Sequence, residues 1–104
     1  MNAIQEILTV SNRINNGRDL DSVFAHLEGE VTELMSEIDK AYYGDEPGED
    51  GILGEAVDVA LCALDAAIIA NPGITEAQIN EVVSRKLAKW ERIYGGKQND
   101  STQV

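Results

Sequence analysis

Between Gly51 and Ala70 the chain is almost continuously apolar, yet carboxylates interrupt it at Glu55, Asp58 and Asp65. With Cys62 these residues are spaced 3, 4 and 3, so on a helix they share one face. The remainder of the stretch is Ile, Leu, Val and Ala, apolar nearly all the way round, which predicts a buried central helix. Unpaired carboxylates on such a helix are costly; they neutralise, pair or bind a cation. The stretch itself contains no basic residue. A partner for these acids, if they stay ionised, has to come from elsewhere in the chain or from a cation.

The rest of the chain reads as three more helices. The first is predicted over about Ala3 to Ile14, with Asn2 as N-cap, Gln5 three residues on, and Asn15-Asn16-Gly17 as the stop. The second runs from about Ser22 to Tyr42 with Asp21 as N-cap. Leu20, Val23, Phe24, Leu27, Val31, Leu34 and Ile38 form its apolar stripe. The Gly/Pro loop 44–50 breaks the chain before the apolar stretch, and Asn71-Pro72-Gly73 breaks it after. The fourth helix runs from about Glu76 to Tyr94, opened by the capping box Thr75-Glu-Ala-Gln78 and closed by Gly95-Gly96. Nothing alternates with period two. The expectation is an all-α, four-helix bundle-like single domain over 1–95, followed by a flexible tail over 96–104.

Charge narrows the function. Eight Lys and Arg stand against nineteen Asp and Glu, for a net −11 at pH 7. A generic nucleic-acid binder needs a basic face, so nucleic acid is not an expected partner. The acids within the apolar stretch make it a poor membrane span, and no membrane partner is expected. A single Cys allows no internal disulfide, and the N-terminus shows no leader pattern. Together these predict a reducing, cytoplasmic location.

The acids of the second helix stand beside its apolar stripe. With Leu27 at zero on a wheel, Glu30, Glu33 and Glu37 fall at about 300°, 240° and 280°. Two acidic stripes on neighbouring helices repel unless something positive lies between them. A divalent cation is the economical answer; Lys86, Lys89 and Arg92 of the fourth helix are the alternative. The ligand set is all oxygen, with no His in it and one thiol nearby. That argues against zinc and iron–sulfur sites and favours Mg²⁺, with Mn²⁺ as substitute. Carboxylates, Mg²⁺ and nearby Lys/Arg make up a phosphate-chemistry site.

Glu30-Val-Thr-Glu33, then 21 residues, then Glu55-Ala-Val-Asp58 resembles the ExxE…ExxD signature of the MazG-like, all-α nucleoside triphosphate pyrophosphohydrolases. The apolar Leu27 and Leu34 around the first pair, the Gly/Pro loop, and the closing Lys86-Leu-Ala-Lys89-Trp90-Glu-Arg92 match too. The resemblance covers about Leu20 to Gly95. It implies cleavage of an NTP or dNTP to the monophosphate and pyrophosphate by water attack on the α-phosphorus. It implies Mg²⁺ held by Glu30, Glu33, Glu55 and Asp58, one of which also orients or deprotonates the water. It implies phosphate contacts from Lys86, Lys89 and Arg92, and a homodimer or dimer of dimers. The sequence departs from the family at Gly29 and Gly54, where many relatives carry a second Glu. Gly29 suggests close approach of a helix or ligand. A phosphoribosyl-ATP pyrophosphatase-like enzyme is an alternative within the same chemistry. A non-enzymatic, DNA-mimicking acidic interaction protein is the alternative outside it.

Other residues divide between site and scaffold. His26, one turn before Glu30, is expected either near base or phosphates or as a surface residue. Asp65 is expected to pair with a base of the fourth helix or to touch a metal, and Glu37 extends the first acidic stripe. Trp90 and Phe24 are expected in the core, Cys62 as a small buried filler. Tyr42 and Tyr43 are candidates for a base pocket. The apolarity of the third segment suggests a partner helix from a second copy.

Overall fold

A computed structural model of the chain describes the backbone of residues 2–103 and the side chains of residues 2–95. Its helices are α1 (Ala3–Arg13), α2 (Leu20–Tyr42), α3 (Gly51–Ala70) and α4 (Glu76–Gln103), and among the described residues there is no strand. The protein is all-α. No helix among the described residues is long and apolar enough to cross a membrane. The chain divides into two compact units, residues 1–73 with α1 to α3 and residues 74–104 with α4. The backbone of α4 runs on past Gly95-Gly96, where the sequence places its end, to Gln103; the side chains of the tail expected over 96–104 lie outside the described residues.

Side-chain chemistry at the boundaries explains the helices. Asn2 caps α1 by accepting from the Gln5 amide at 2.9 Å. The cap of α2 is Asp19, two residues earlier than the expected Asp21. Ser22 sits three residues after Asp19 and donates to its carboxylate from both amide, at 2.9 Å, and hydroxyl, at 2.8 Å. Asp21 instead lies in the first turn, where the helix dipole favours an acid. α2 closes in a Schellman motif: Gly44 N–H donates to Ala41 O and Asp45 N–H to Lys40 O. This needs a left-handed residue at position 44, and Gly44 has φ +73°. Asn71 ends α3, donating from its side chain to Ala67 O, and Pro72 cannot continue the helix. The box at α4 forms as its sequence predicts, with Thr75 Oγ1 accepting from the Gln78 amide and Gln78 Oε1 from the Thr75 amide.

In the first unit α3 packs against both α2 and α1. Val23, Cys62 and Ile68 are buried in its core. His26 of α2 meets Cys62 of α3, whereas Glu33, further along α2, meets Glu55, earlier on α3. Partner positions recede on α3 as α2 advances, so the two helices run antiparallel.

Three packing expectations are corrected. α3 is not covered on all sides: Ile52, Leu53, Val57 and Leu61 are exposed, Leu53 at 78%. Phe24 and Trp90, read as core, are each 62% exposed. An amphipathic wheel identifies an apolar face but does not say that the same chain covers it. Gly29 also lacks the crowding that would require it, since a Cβ there would meet nothing within 4 Å. The crowded glycine is Gly54, where a Cβ would lie 2.6 Å from Asp50 Cβ. That contact at the first turn of α3 explains why a larger residue is absent.

Candidate metal centre

Glu30 and Glu33 stand one turn apart on α2, and Glu55 and Asp58 one turn apart on α3. The antiparallel packing of these helices brings all four together. One carboxylate oxygen from each lies within 4.8 Å of the others. The group is graded in depth. Glu55 is buried at 8% exposure, Glu30 and Asp58 are half-buried, and Glu33 faces solvent.

No base relieves the deepest oxygens. Glu30 Oε2 and Glu55 Oε2 are buried and have no hydrogen-bond partner among the described residues. The electrostatic consequence is a strong preference for protons. Burial pushes the Glu55 carboxyl up to about 7, helped by a hydrogen bond and charge from Glu33 and by the charges of Asp58 and Asp50. Glu30 is raised by burial first and then by Glu33 and Asp58, against an opposing pull from His26. Four close carboxyls with two orphaned buried oxygens fit a hard divalent cation by donor type and number. Glu30, Glu33, Glu55 and Asp58 are the residues that could hold such an ion.

The neighbouring acids have a different fate. Asp65, on the same face of α3, has its partners in α1 and the loop that follows it. It accepts from Arg18 Nη1 at 2.6 Å, from Arg18 Nη2 at 3.0 Å, and from the Ser11 hydroxyl at 2.6 Å. Arg18 also donates to the Ser11 and Ile14 carbonyls. Its guanidinium and the Ser11 hydroxyl hold the Asp65 carboxyl below its ordinary range, although burial opposes them. This fork ties α1 and the following loop to α3. Arg18 and Ser11 were the residues missed from sequence; the available signal was an acid on an apolar helix with no base in its own segment. Glu37 is likewise structural: it accepts from Lys40 at 2.9 Å and from the Gly48 amide at 2.8 Å, latching the loop onto α2. Both contacts hold its carboxyl low.

His26 is the candidate that the fold moves closest to the acids. Its Nε2 lies 3.1 Å from Glu30 Oε1, and its Nδ1 lies 3.6 Å from Cys62 Sγ. Cys62 is buried as expected, and burial together with Glu30, Asp65 and Asp58 pushes its thiol up. His26 and Cys62 also line a cavity of about 380 Å³, whose other walls include Ile7, Val10, Ile14 and Leu61. Tyr42 and Tyr43 are exposed at the end of α2, edge to face at 4.9 Å. On α4, in the second unit, Lys86, Lys89 and Arg92 are exposed.

Comparison with protein-family models, with curated proteins and with solved structures found no match.

Proposed function

We propose that the protein is an Mg²⁺-dependent nucleotide pyrophosphohydrolase that cleaves an NTP or dNTP to the monophosphate and pyrophosphate. The observation that carries this reading is the meeting of Glu30, Glu33, Glu55 and Asp58 within 4.8 Å, with two buried oxygens unpartnered. The sequence resemblance to the MazG-like family supports it through the same four residues.

Glu30, Glu33, Glu55 and Asp58 would hold the ion. When bound, Mg²⁺ or Mn²⁺ supplies charge neutralisation and polarisation of phosphoryl oxygens. The chain's own residues do the rest. A carboxylate oxygen left free in the group orients the attacking water and takes its proton. The water oxygen bonds to the α-phosphorus, the α–β bridging bond breaks, and its electron pair leaves with pyrophosphate. The cavity bordered by His26 accommodates the nucleoside end. Lys86, Lys89 and Arg92 are the candidates for phosphate oxygens, whose growing charge in the transition state they stabilise.

The four-helix bundle of this reading is completed by dimerisation, as a homodimer or a dimer of dimers. Phe24, Val31, Met35, Ile38 and Tyr42 form an exposed stripe along α2, and a second copy of the chain is the simplest cover for it. A cytoplasmic location suits the single free thiol. An acidic DNA mimic is less well supported, because mimicry needs exposed charge and Glu55 is buried.

The test is incubation with Mg²⁺ and a panel of NTPs and dNTPs. Monophosphate plus pyrophosphate is expected for at least one. Orthophosphate in place of pyrophosphate would show the wrong bond. No turnover on any nucleotide, with Glu55→Gln binding Mn²⁺ as well as the unaltered protein, would overturn the enzymatic reading.

A further inference from the structure

The imidazole of His26 is engaged at both nitrogens. Nε2 lies 3.1 Å from Glu30 Oε1, one turn along α2, and Nδ1 lies 3.6 Å from Cys62 Sγ, across on α3. The ring therefore bridges the two helices beside the acidic group. Its own side chain is 64% accessible, but both partners are covered: the Glu30 side chain is 16% accessible and Cys62 is buried. The chemistry of the three groups fixes where the protons lie. A carboxylate that serves as a cation's ligand is ionised and only accepts, so Nε2 carries a proton and donates it to Glu30. In the neutral imidazole Nδ1 is then bare and only accepts, so the donor to it is the Cys62 thiol. Burial and the nearby acids keep that thiol protonated.

We propose that His26 is a positioning residue for the acidic group: steadied by Cys62, it anchors Glu30 through Oε1 and leaves Oε2 to meet the cation. The proposal rests on the reading of the acidic group as a cation site. Three observations carry it. First, the two oxygens of Glu30 have different surroundings. Oε1 has the imidazole, whereas Oε2 is buried with no partner among the described residues. The orphaned oxygen is the one that gains most from an ion. Second, the imidazole has no nitrogen left for the ion itself, since Nε2 faces Glu30 and Nδ1 faces Cys62. It acts through Glu30 or not at all. Third, the anchor is referred to both helices. Cys62 lies one turn past Asp58 on α3, and packing fixes its place. The bridge therefore sets the α2 ligand Glu30 in register with the α3 ligands Glu55 and Asp58.

The effect is on ligand geometry. A Glu side chain turns about several bonds, and an anchor at its far end limits them before any ion arrives. Without the Nε2 donor, Glu30 is free to turn away, and only Glu33, Glu55 and Asp58 remain in place. Outer hydrogen bonds of this kind are worth about ten- to a hundredfold in metal affinity. Glutamine at position 26 retains an N–H donor and alanine does not, so the two separate positioning from packing.

The chain holds one His, so every imidazole signal belongs to residue 26. Long-range proton–nitrogen NMR of the reduced, metal-free, full-length protein reads its tautomer with the ring neutral. One tautomer is expected, protonated at Nε2 and bare at Nδ1. In Cys62→Ala the Nδ1 resonance is expected to move toward that of an unbonded nitrogen. A mixture of tautomers, a proton on Nδ1, or an Nδ1 resonance unmoved in Cys62→Ala would overturn the proposal. In the second arm Mn²⁺ binding is followed by electron paramagnetic resonance. His26→Ala is expected to weaken it about ten- to a hundredfold, and His26→Gln to restore most of the loss. Helical circular dichroism checks that each variant is folded, and the exposed His26 supplies variants that leave the core intact if Cys62→Ala does not fold. Unchanged affinity in His26→Ala, or equal losses in His26→Ala and His26→Gln, would overturn the proposal and leave the acidic group standing as a cation site. Absence of Mn²⁺ binding in the unaltered protein would overturn that site and the proposal with it. Both arms are read whether or not any nucleotide is hydrolysed.

Discussion

Under the metal-binding reading, the proton affinity of Glu55 makes cation binding depend on pH, and its sign and size follow from the site. A carboxyl held near 7 must lose its proton before it can serve as a ligand. The ionised fraction is roughly one in eleven at about pH 6, one half at about pH 7 and ten in eleven at about pH 8. Affinity for Mn²⁺ should therefore fall roughly tenfold between about pH 8 and pH 6 from Glu55 alone. Glu30, also raised, deepens the fall. The same shift acts on stability without metal. Glu55 binds its proton more tightly folded than unfolded, so its contribution is present below the ordinary value of 4.5 and lost as pH rises through about 7. The metal-free protein loses this contribution at alkaline pH, and Mn²⁺ should restore stability most where the group is ionised. Saturation at about a hundred times Kd adds about 2.7 kcal/mol. Isothermal titration calorimetry across this range, in buffers of different ionisation enthalpy, reads both affinity and proton release. Glu55→Gln should bind Mn²⁺ weakly at every pH with the slope flattened. An affinity for Mn²⁺ that stays constant between pH 6 and 8 would refute the reasoning.

The two unusual glycines should respond oppositely to alanine. Gly29→Ala, with open space around it, should stabilise by up to about 1 kcal/mol through helix propensity, whereas Gly54→Ala should destabilise because its methyl meets Asp50 Cβ; urea denaturation compares them. Asp65→Asn should cost about 1–3 kcal/mol by weakening the fork to Arg18 and the Ser11 bond, read by the same assay. Because Arg18 holds Asp65 low, that contribution should be present above the ordinary Asp value of 3.8 and be lost on acidification below it. Under the enzymatic reading, alanine at Lys86, Lys89 or Arg92 should lower kcat/KM about ten- to a hundredfold by removing a charge-assisted phosphate contact. Mn²⁺ affinity, measured separately, should not change.

The four acids of the candidate centre were legible because each pair is local. Glu30 with Glu33, and Glu55 with Asp58, are fixed by helical spacing alone. Their meeting required only that two consecutive helices pack with their acidic sides facing. What crossed between helices was less readable. Cys62 opposite His26, and Asp65 opposite Ser11 and Arg18, depend on the register of α3 against α2 and α1, which no single-helix wheel contains. Arg18 was overlooked for a further reason: it lies in a connecting loop, where periodicity assigns no face. The cap of α2 was misplaced because Asp19 and Asp21 both precede an apolar run, and Ser22 decides between them. Phe24 and Trp90 show the remaining gap, since apolarity measures a preference for burial and not the presence of a cover.

The whole ligand set of the candidate centre lies on one helical hairpin, between positions 30 and 58 of a single stretch of chain. Its contacts close one loop of modest length, which is the least costly kind of long-range pairing in chain entropy. Repulsion among these acids opposes that closure, and the proton affinity of Glu55 and Glu30 is its measure in the packed hairpin. A cation present during folding reverses the sign of this local force. Under the metal-binding reading, metal supply is therefore a condition on how readily α2 and α3 first find each other as well as on what they do once paired. Refolding of the full chain should accelerate with Mn²⁺ if that pairing limits the rate.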